Sequence, residues 1–154
     1  MEAYFVDSSS LVKRFAGEAG TRWLIGLFKV KPSRSIYAAR ITFVEVSSAL
    51  ARKANSGHIK ADSELKSSRR LGRTFEQRIT SVEVNERLVL DAVGLARKHL
   101  LRGYDAIQLA AALRVARRRT SIGASGPIFV SSDNDLNKAA VAEGLTVENP
   151  HDHP

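Results

Sequence analysis

Short apolar runs alternate with amphipathic stretches from one end of the chain to the other. Ala3 to Val6 is apolar and predicts a first strand. Ser8-Ser9-Ser10 can cap a short helix through Phe15, closed by Gly17. Thr21 starts a second helix carrying Trp23, Leu24, Leu27 and Phe28, and Lys31-Pro32-Ser33 marks a turn before a short strand, Ser35 to Ala38. Thr42 then caps a long helix with Val44, Val46, Ala49, Leu50 and Ala54, stopped by Gly57, and Asp62 caps a polar helix to about Phe75. Ile79 to Val84 alternates as a strand does. Asn85 caps a helix with Leu88, Val89, Ala92, Val93 and Ala96 on one face. The helix opened by Asp105 is apolar almost all round, from Ala106 and Ile107 to Val115 and Ala116, and is expected to be buried on most sides. A loop from Gly123 to Pro127 leads to the strand Ile128 to Val130. A helix from Asp135 to Glu143 follows, with Gly144 as its cap, and Leu145 to Val147 is a last strand. Strands alternating with helices predict an α/β domain with a parallel sheet.

The chain has 154 residues, 44% of them hydrophobic, enough for one domain with a substantial core. The domain is expected to span 1–150, with 151–154 (His151-Asp152-His153-Pro154) as a disordered tail. No apolar run approaches the ~18 residues a membrane-spanning helix needs. Met1-Glu2-Ala3-Tyr4 lacks a basic segment and a cleavage site, so a signal peptide is not expected and a cytoplasmic location is. Cysteine is absent, which removes disulfides, thiolate nucleophiles and Zn–Cys sites together. Lys and Arg number 24 against 16 Asp and Glu, a net charge of +8, which points to a polyanionic partner. Most of the basic residues read as solvated helix faces, and Arg117-Arg118-Arg119 also complement a helix dipole.

The acidic residues change the picture. Asp7, Glu45, Asp105 and Asp133 each follow or border an apolar run, far apart in the chain. In an open parallel sheet, sites form beyond the carboxyl ends of the strands, so the four would meet at one edge. Two carboxylates ~5 Å apart repel by roughly 3 kcal/mol at an effective dielectric near 20. Four together require a cation or protonation. An all-oxygen set without cysteine suits a hard divalent ion, Mg²⁺ or Mn²⁺, and hence metal-assisted phosphodiester chemistry.

Each acid also has a plainer role. Asp7 could cap the first helix, although Ser8, Ser9 and Ser10 could do so equally well, which favours the metal role. Thr42-x-x-Glu45 is a capping box, so Glu45 has two readings of equal weight. Asp105 could cap its helix, but a solvated surface cap is less expected on a helix this apolar. Of Asp133 and Asp135, one caps and the other faces the site. Asp133, nearer the strand end, is assigned to the site; Asp135 caps or contributes through water. Ser9 and Ser131 offer hydroxyls at the same edge and could orient a carboxylate or water; turn formation explains them as well.

At these segments the chain resembles a known family. Tyr4-Phe5-Val6-Asp7-Ser8-Ser9, Phe43-Val44-Glu45-Val46-Ser47-Ser48-Ala49-Leu50, the run Tyr104-Asp105-Ala106-Ile107-Gln108-Leu109-Ala110-Ala111-Ala112, and Phe129-Val130-Ser131-Ser132-Asp133-Asn134-Asp135-Leu136 look like the four motifs of PIN-domain ribonucleases. Gly144 to Pro150 fits the family's close, and the size resembles that of the VapC toxins of toxin–antitoxin pairs. The resemblance implies an α/β/α sandwich with a five-stranded parallel sheet. It implies Mg²⁺- or Mn²⁺-dependent endonuclease activity on RNA that inhibits translation. By motif, Asp7, Glu45, Asp105 and Asp133 are the acidic quartet, Ser9 is the small hydroxyl residue after the first Asp, and Ser131 stands where the family often has Thr. Asp135 is an additional acid in the last motif. The family also implies a homodimer and a cognate antitoxin whose tail blocks the site, often with a basic side chain among the carboxylates.

Competing classes fit less well. A phosphoacceptor receiver needs an Asp after the third strand and a Lys after the fifth, where this chain has Asn85 and Glu148. A dehalogenase-type phosphatase needs a second Asp two residues after the first, where Ser9 stands. A basic RNA-binding module without catalysis accounts for the charge and leaves the acids unexplained.

Overall fold

The first strand, β1 (Glu2–Val6), ends up in the middle of the sheet because both of its faces are apolar. The computed structural model describes residues 1–153. After β1 come α1 (Ser8–Leu11), α2 (Lys13–Ala16), α3 (Thr21–Leu27), β2 (Arg34–Ala39), α4 (Ile41–Asn55), α5 (Ala61–Gln77) and β3 (Thr80–Val82). The second half is α6 (Glu86–His99), α7 (Gly103–Thr120), β4 (Ile128–Val130), α8 (Asn134–Ala142) and β5 (Thr146–Glu148). The five strands are all parallel, in the order β3-β2-β1-β4-β5. The chain builds outward from β1 through β2 and β3, then crosses to β4 and β5. The β1/β4 boundary is therefore the switch point where such sheets open a crevice.

Side-chain alternation divides the core into two layers. Phe5 and Phe129 stack at 5.9 Å on one face, packed with Leu88, Leu109 and Leu136 of α6, α7 and α8. Val6 and Val130 point to the other face, among Leu11, Leu24, Leu50 and Leu71 of α1, α3, α4 and α5. This is the expected α/β/α sandwich. Residues 108–112 of α7 are buried in succession, as expected for a helix apolar nearly all round.

Several boundaries differ from the pattern. The single helix expected from Ser8 is two short ones joined at Val12. The helix α4 starts at Ile41, one residue before the expected cap, and Thr42 lies fully buried within its first turn. Asp62 is likewise inside α5, whose N-cap is Lys60. Asn85 caps α6 as expected, its Oδ1 accepting from the Leu88 N–H at 3.0 Å. Leu145 is buried ahead of β5 and lies outside the strand.

The tail departs furthest from expectation. Pro150–Asp152 form a 3-10 turn, capped by Asn149 Oδ1, which accepts from the His151 N–H. The His153 ring stacks on Trp23 at 4.4 Å and lies 2.9 Å from Glu148 Oε2. Gly20, at φ +85°, lets the backbone press against Pro150 where a Cβ would overlap it. Residues 151–153 are thus held by an aromatic partner more than a hundred positions away, a contact that no local pattern announces. Pro154 lies outside the described residues. No helix among the described residues is long and apolar enough to cross a membrane.

Candidate active site

Asp7 is the first residue beyond β1, and its N–H donates to the Val130 carbonyl at 3.1 Å, so it sits on the β1/β4 switch point. It does cap α1: Oδ1 accepts from the Ser10 N–H at 2.9 Å. Capping uses only part of its acceptor capacity. Ser131 Oγ donates to Oδ2 at 2.8 Å, and Ser9 Oγ lies 2.8 and 2.9 Å from the two oxygens. The carboxyl is almost fully buried, and burial pushes its pKa up to about 6 against the pull of the hydrogen bonds from Ser10, Ser131 and Ser9.

The two serines tie the loop after β4 to that after β1. Ser131 Oγ accepts from the Asp133 N–H at 3.1 Å, and Ser9 Oγ accepts from the Ser132 N–H at 3.0 Å. Asp133 is the N-cap of α8, with Oδ1 accepting from the Leu136 N–H at 2.9 Å. The division of labour expected between the two aspartates is therefore corrected: Asp133 itself caps. Asp135 neither caps nor touches another acid; its side chain is 90% exposed and its nearest cation is Lys138 at 3.9 Å.

Glu45 does not close a capping box, because α4 begins before Thr42. Its Oε2 accepts from Ser8 Oγ at 2.9 Å and its Oε1 from Gln108 Nε2 at 2.8 Å. Gln108 Nε2 also donates to Thr42 Oγ1 at 2.8 Å, so one buried amide holds both residues of the would-be box. Asp105 lies one turn before Gln108, in the first turn of α7, whose N-cap is Arg102. Its carboxyl is pushed above the usual range by burial first, then by repulsion from Asp133 and Glu45, with Arg102 opposing. That repulsion places Asp105, Asp133 and Glu45 in one electrostatic neighbourhood.

None of the four acids has an ion-pair partner among the described residues, in a chain where Glu2, Glu18, Glu83, Asp91, Glu143 and Glu148 all do. As the side chains stand, no group of three carboxylates or imidazoles among the described residues is in position to hold a metal ion. Beside Glu45 a groove of about 340 Å³ opens, lined by Ser8, Ser9, Val44, Arg52 and Tyr104.

The PIN domain family model matches residues 4–142, which takes in Asp7, Glu45, Asp105 and Asp133 and the whole of α8. The chain belongs to the PIN domain family. Two curated relatives of this PIN domain are Ribonuclease VapC45 and Ribonuclease VapC49 of Mycobacterium tuberculosis, strains CDC 1551 / Oshkosh and ATCC 25618 / H37Rv respectively. Each is 31% identical over 147 residues, covering 96% of this chain and 95% of the relative. Among solved structures, a toxin–antitoxin complex from Klebsiella pneumoniae matches with a TM-score of 0.59 at 19% identity, covering 96% of this chain and 97% of that one. VapBC2 from Rickettsia felis, bound to a promoter DNA fragment, matches with a TM-score of 0.61 at 12% identity, covering 96% and 98%. These distant likenesses carry the fold.

Gln108, Ser8 and the Gln108-bound hydroxyl of Thr42 are the parts of this PIN domain's site that pattern reading passes over. A signal for Gln108 exists: it is the lone polar residue between Ala106 and Leu113, one turn after Asp105. Ser8 carries none, because the next two residues are also serine.

Proposed function

We propose that this PIN domain is a divalent-metal-dependent endoribonuclease that hydrolyses RNA phosphodiester bonds, acting as the toxin of a toxin–antitoxin pair that inhibits translation. The observation that supports this is the repulsion that joins Asp105 to Asp133 and Glu45, with Asp7 linked to Asp133 through the Ser131 hydroxyl and none of the four acids in an ion pair among the described residues, in a chain of net charge +8. The kinship to relatives named ribonuclease supplies the substrate class.

The donor set fits a hard cation. It is all oxygen, and two of its carboxyls have raised pKa values, Asp7 through burial and Asp105 through burial and then the repulsion of Asp133 and Glu45, both of which a bound cation would relieve. Asp7, Glu45, Asp105 and Asp133 would hold Mg²⁺ or Mn²⁺, after modest side-chain movement. When bound, such an ion neutralises phosphate charge and makes water a better nucleophile at neutral pH. The chain's own residues prepare the site. Ser9 and Ser131 fix the Asp7 carboxylate, Ser8 and Gln108 fix Glu45, and the Asp133 cap anchors its backbone. Hydrolysis would leave a 5′-phosphate and a 3′-hydroxyl, with no side chain as nucleophile.

A cognate antitoxin, a homodimeric assembly and a cytoplasmic location belong to the same proposal, as does a domain reaching to residue 150. A basic side chain supplied by the antitoxin would satisfy the acids that this chain leaves unpaired. The test is incubation of the pure protein with a panel of total and structured RNAs, with Mg²⁺ or Mn²⁺ and with EDTA, beside Asp7→Ala. Metal-dependent cutting that the variant loses is the expected result. RNA binding without cutting, unchanged in Asp7→Ala, would return the protein to the class of basic binding modules.

A further inference from the structure

Away from the acids, three arginines crowd together on the α2–α3–α5 side of the molecule. The Arg14 guanidinium stands over both Phe15 and Phe28, 5.2 and 4.7 Å from the ring centres. Arg70 also stands over Phe15, 5.7 Å from the ring centre. Arg78 Nη2 donates to the Phe28 carbonyl at 3.1 Å. Arg14 Nη1 donates to Thr74 Oγ1 at 2.6 Å, and that hydroxyl in turn donates to the Arg70 carbonyl. Arg14 and Arg70 therefore share the Phe15 ring and one hydrogen-bond chain, and Arg78 adjoins them through the Phe28 backbone carbonyl.

No carboxylate answers them. Among the described residues none of the three forms an ion pair, whereas Arg34, Arg40 and Arg117 each do. The Nε–H groups of Arg14 and Arg78 are buried without a hydrogen-bond partner. Burial and the charges of Arg70 and Arg78 all weaken the hold of Arg14 on its proton. A fold gains nothing from packing like charges this way unless an anion completes the set. Arg14 and Arg78 commit part of their forks to Thr74 and the Phe28 carbonyl, while the exposed Arg70, backed by the Phe15 ring, keeps its fork for phosphate oxygens.

We infer that Arg14, Arg70 and Arg78 form a phosphate-binding subsite that holds the RNA backbone apart from the acidic cluster. The assignment rests on the proposed ribonuclease activity for the identity of its ligand. Position supports it: Arg14 is seven residues beyond Asp7 along α1 and α2, roughly 10 Å of helix. An RNA strand that runs from the acids along α1 and α2 would bring a neighbouring phosphate to this cluster. An acidic protein segment is the competing occupant, and the chain's overall excess of positive charge favours the nucleic acid.

The test is binding of a fluorescent single-stranded 12-nucleotide RNA to the full chain in EDTA, across a salt series, for wild type, Arg70→Gln and Arg97→Gln. Arg70 is exposed, so its loss should leave the fold intact, and Arg97 is an exposed arginine of α6 outside the cluster. For wild type, log affinity should fall linearly with log salt. Arg70→Gln should reduce that slope by about 0.7, one single-strand phosphate contact, and Arg97→Gln should not. The Nε–H signals of Arg14 and Arg78, followed by NMR, should move saturably with the RNA. Equal slopes for all three proteins, or RNA binding that leaves both signals still, would overturn the subsite while leaving the nuclease intact. Signals that move with a glutamate-rich peptide and not with RNA would overturn it in favour of a protein partner. A wild type that neither binds this RNA nor cuts the RNA panel would remove both assignments together.

Discussion

Gln108 Nε2 lies 2.8 Å from Glu45 Oε1, a contact between the helix that buries the most residues and a carboxylate 63 positions earlier. The same nitrogen holds Thr42, and Gln108 Oε1 is buried with no partner at all. A buried amide with one unsatisfied oxygen costs about 1–3 kcal/mol for that oxygen. Stability alone gives no reason for a glutamine here; fixing Glu45 does.

Replacing it should therefore separate stability from function. Gln108→Leu removes the orphaned acceptor but leaves the buried Thr42 hydroxyl without its donor, two effects of similar size and opposite sign, so the melting temperature should change little while metal-dependent cleavage falls roughly 10- to 100-fold. Thermal melts beside initial rates decide it. A destabilised protein with wild-type activity per folded molecule would make Gln108 a packing residue only.

Asp7 carries the clearest pH signature. Its carboxyl is held at about 6 in the fold and is 3.8 ordinarily, so between those values the folded state binds more protons than the unfolded one. Stability should fall as pH rises from about 4 through 6 and level off above, by at most roughly 3 kcal/mol from this group. Asp7→Asn should be more stable than wild type at pH 8, lose that advantage near pH 4, and be inactive. Mn²⁺ should raise the melting temperature of wild type at pH 8 and not that of the variant. Chemical denaturation at pH 4, 6 and 8 checks this; a wild type that gains stability across that range would refute it.

The sandwich was legible because burial on both faces of β1 and β4 leaves runs such as Tyr4 to Val6 and Ile128 to Val130, and because helices fill the gaps. The acids were legible because each adjoins such a run. What was not legible is long-range. Thr42 does not cap α4, and its hydroxyl instead accepts from Gln108, 66 positions on. The tail is ordered by Trp23. Asp7 and Asp133 also show that capping and site duty are not alternatives: a carboxylate can cap with one oxygen and keep lone pairs for a second task.

That double duty can be taken apart at Asp133. Asn caps as well as Asp but carries no charge, so Asp133→Asn should keep stability within about 0.5 kcal/mol and lose most cleavage. Asp133→Ala should lose both, with the missing cap costing about 1 kcal/mol. Asp135→Ala, at an exposed position, should alter neither by a measurable amount. Full activity in Asp133→Asn, or inactivity in Asp135→Ala, would exchange the two roles.

Ser131 links the two strand ends on which the site depends: its hydroxyl donates to Asp7 Oδ2 and accepts the Asp133 N–H. The hydrogen bond to Asp7 favours the charged carboxylate, and its loss should move the Asp7 pKa further above 6. Ser131→Ala should therefore shift the acid limb of the pH–rate profile toward higher pH, and cost about 1–3 kcal/mol for the Asp133 N–H left without its acceptor, Asp7 Oδ2 keeping Ser9. Ser131→Thr keeps the hydroxyl and should restore the profile. If Ser131→Ala lowers the rate equally at every pH, the hydroxyl acts by placing the loop and has no hold on the charge of Asp7.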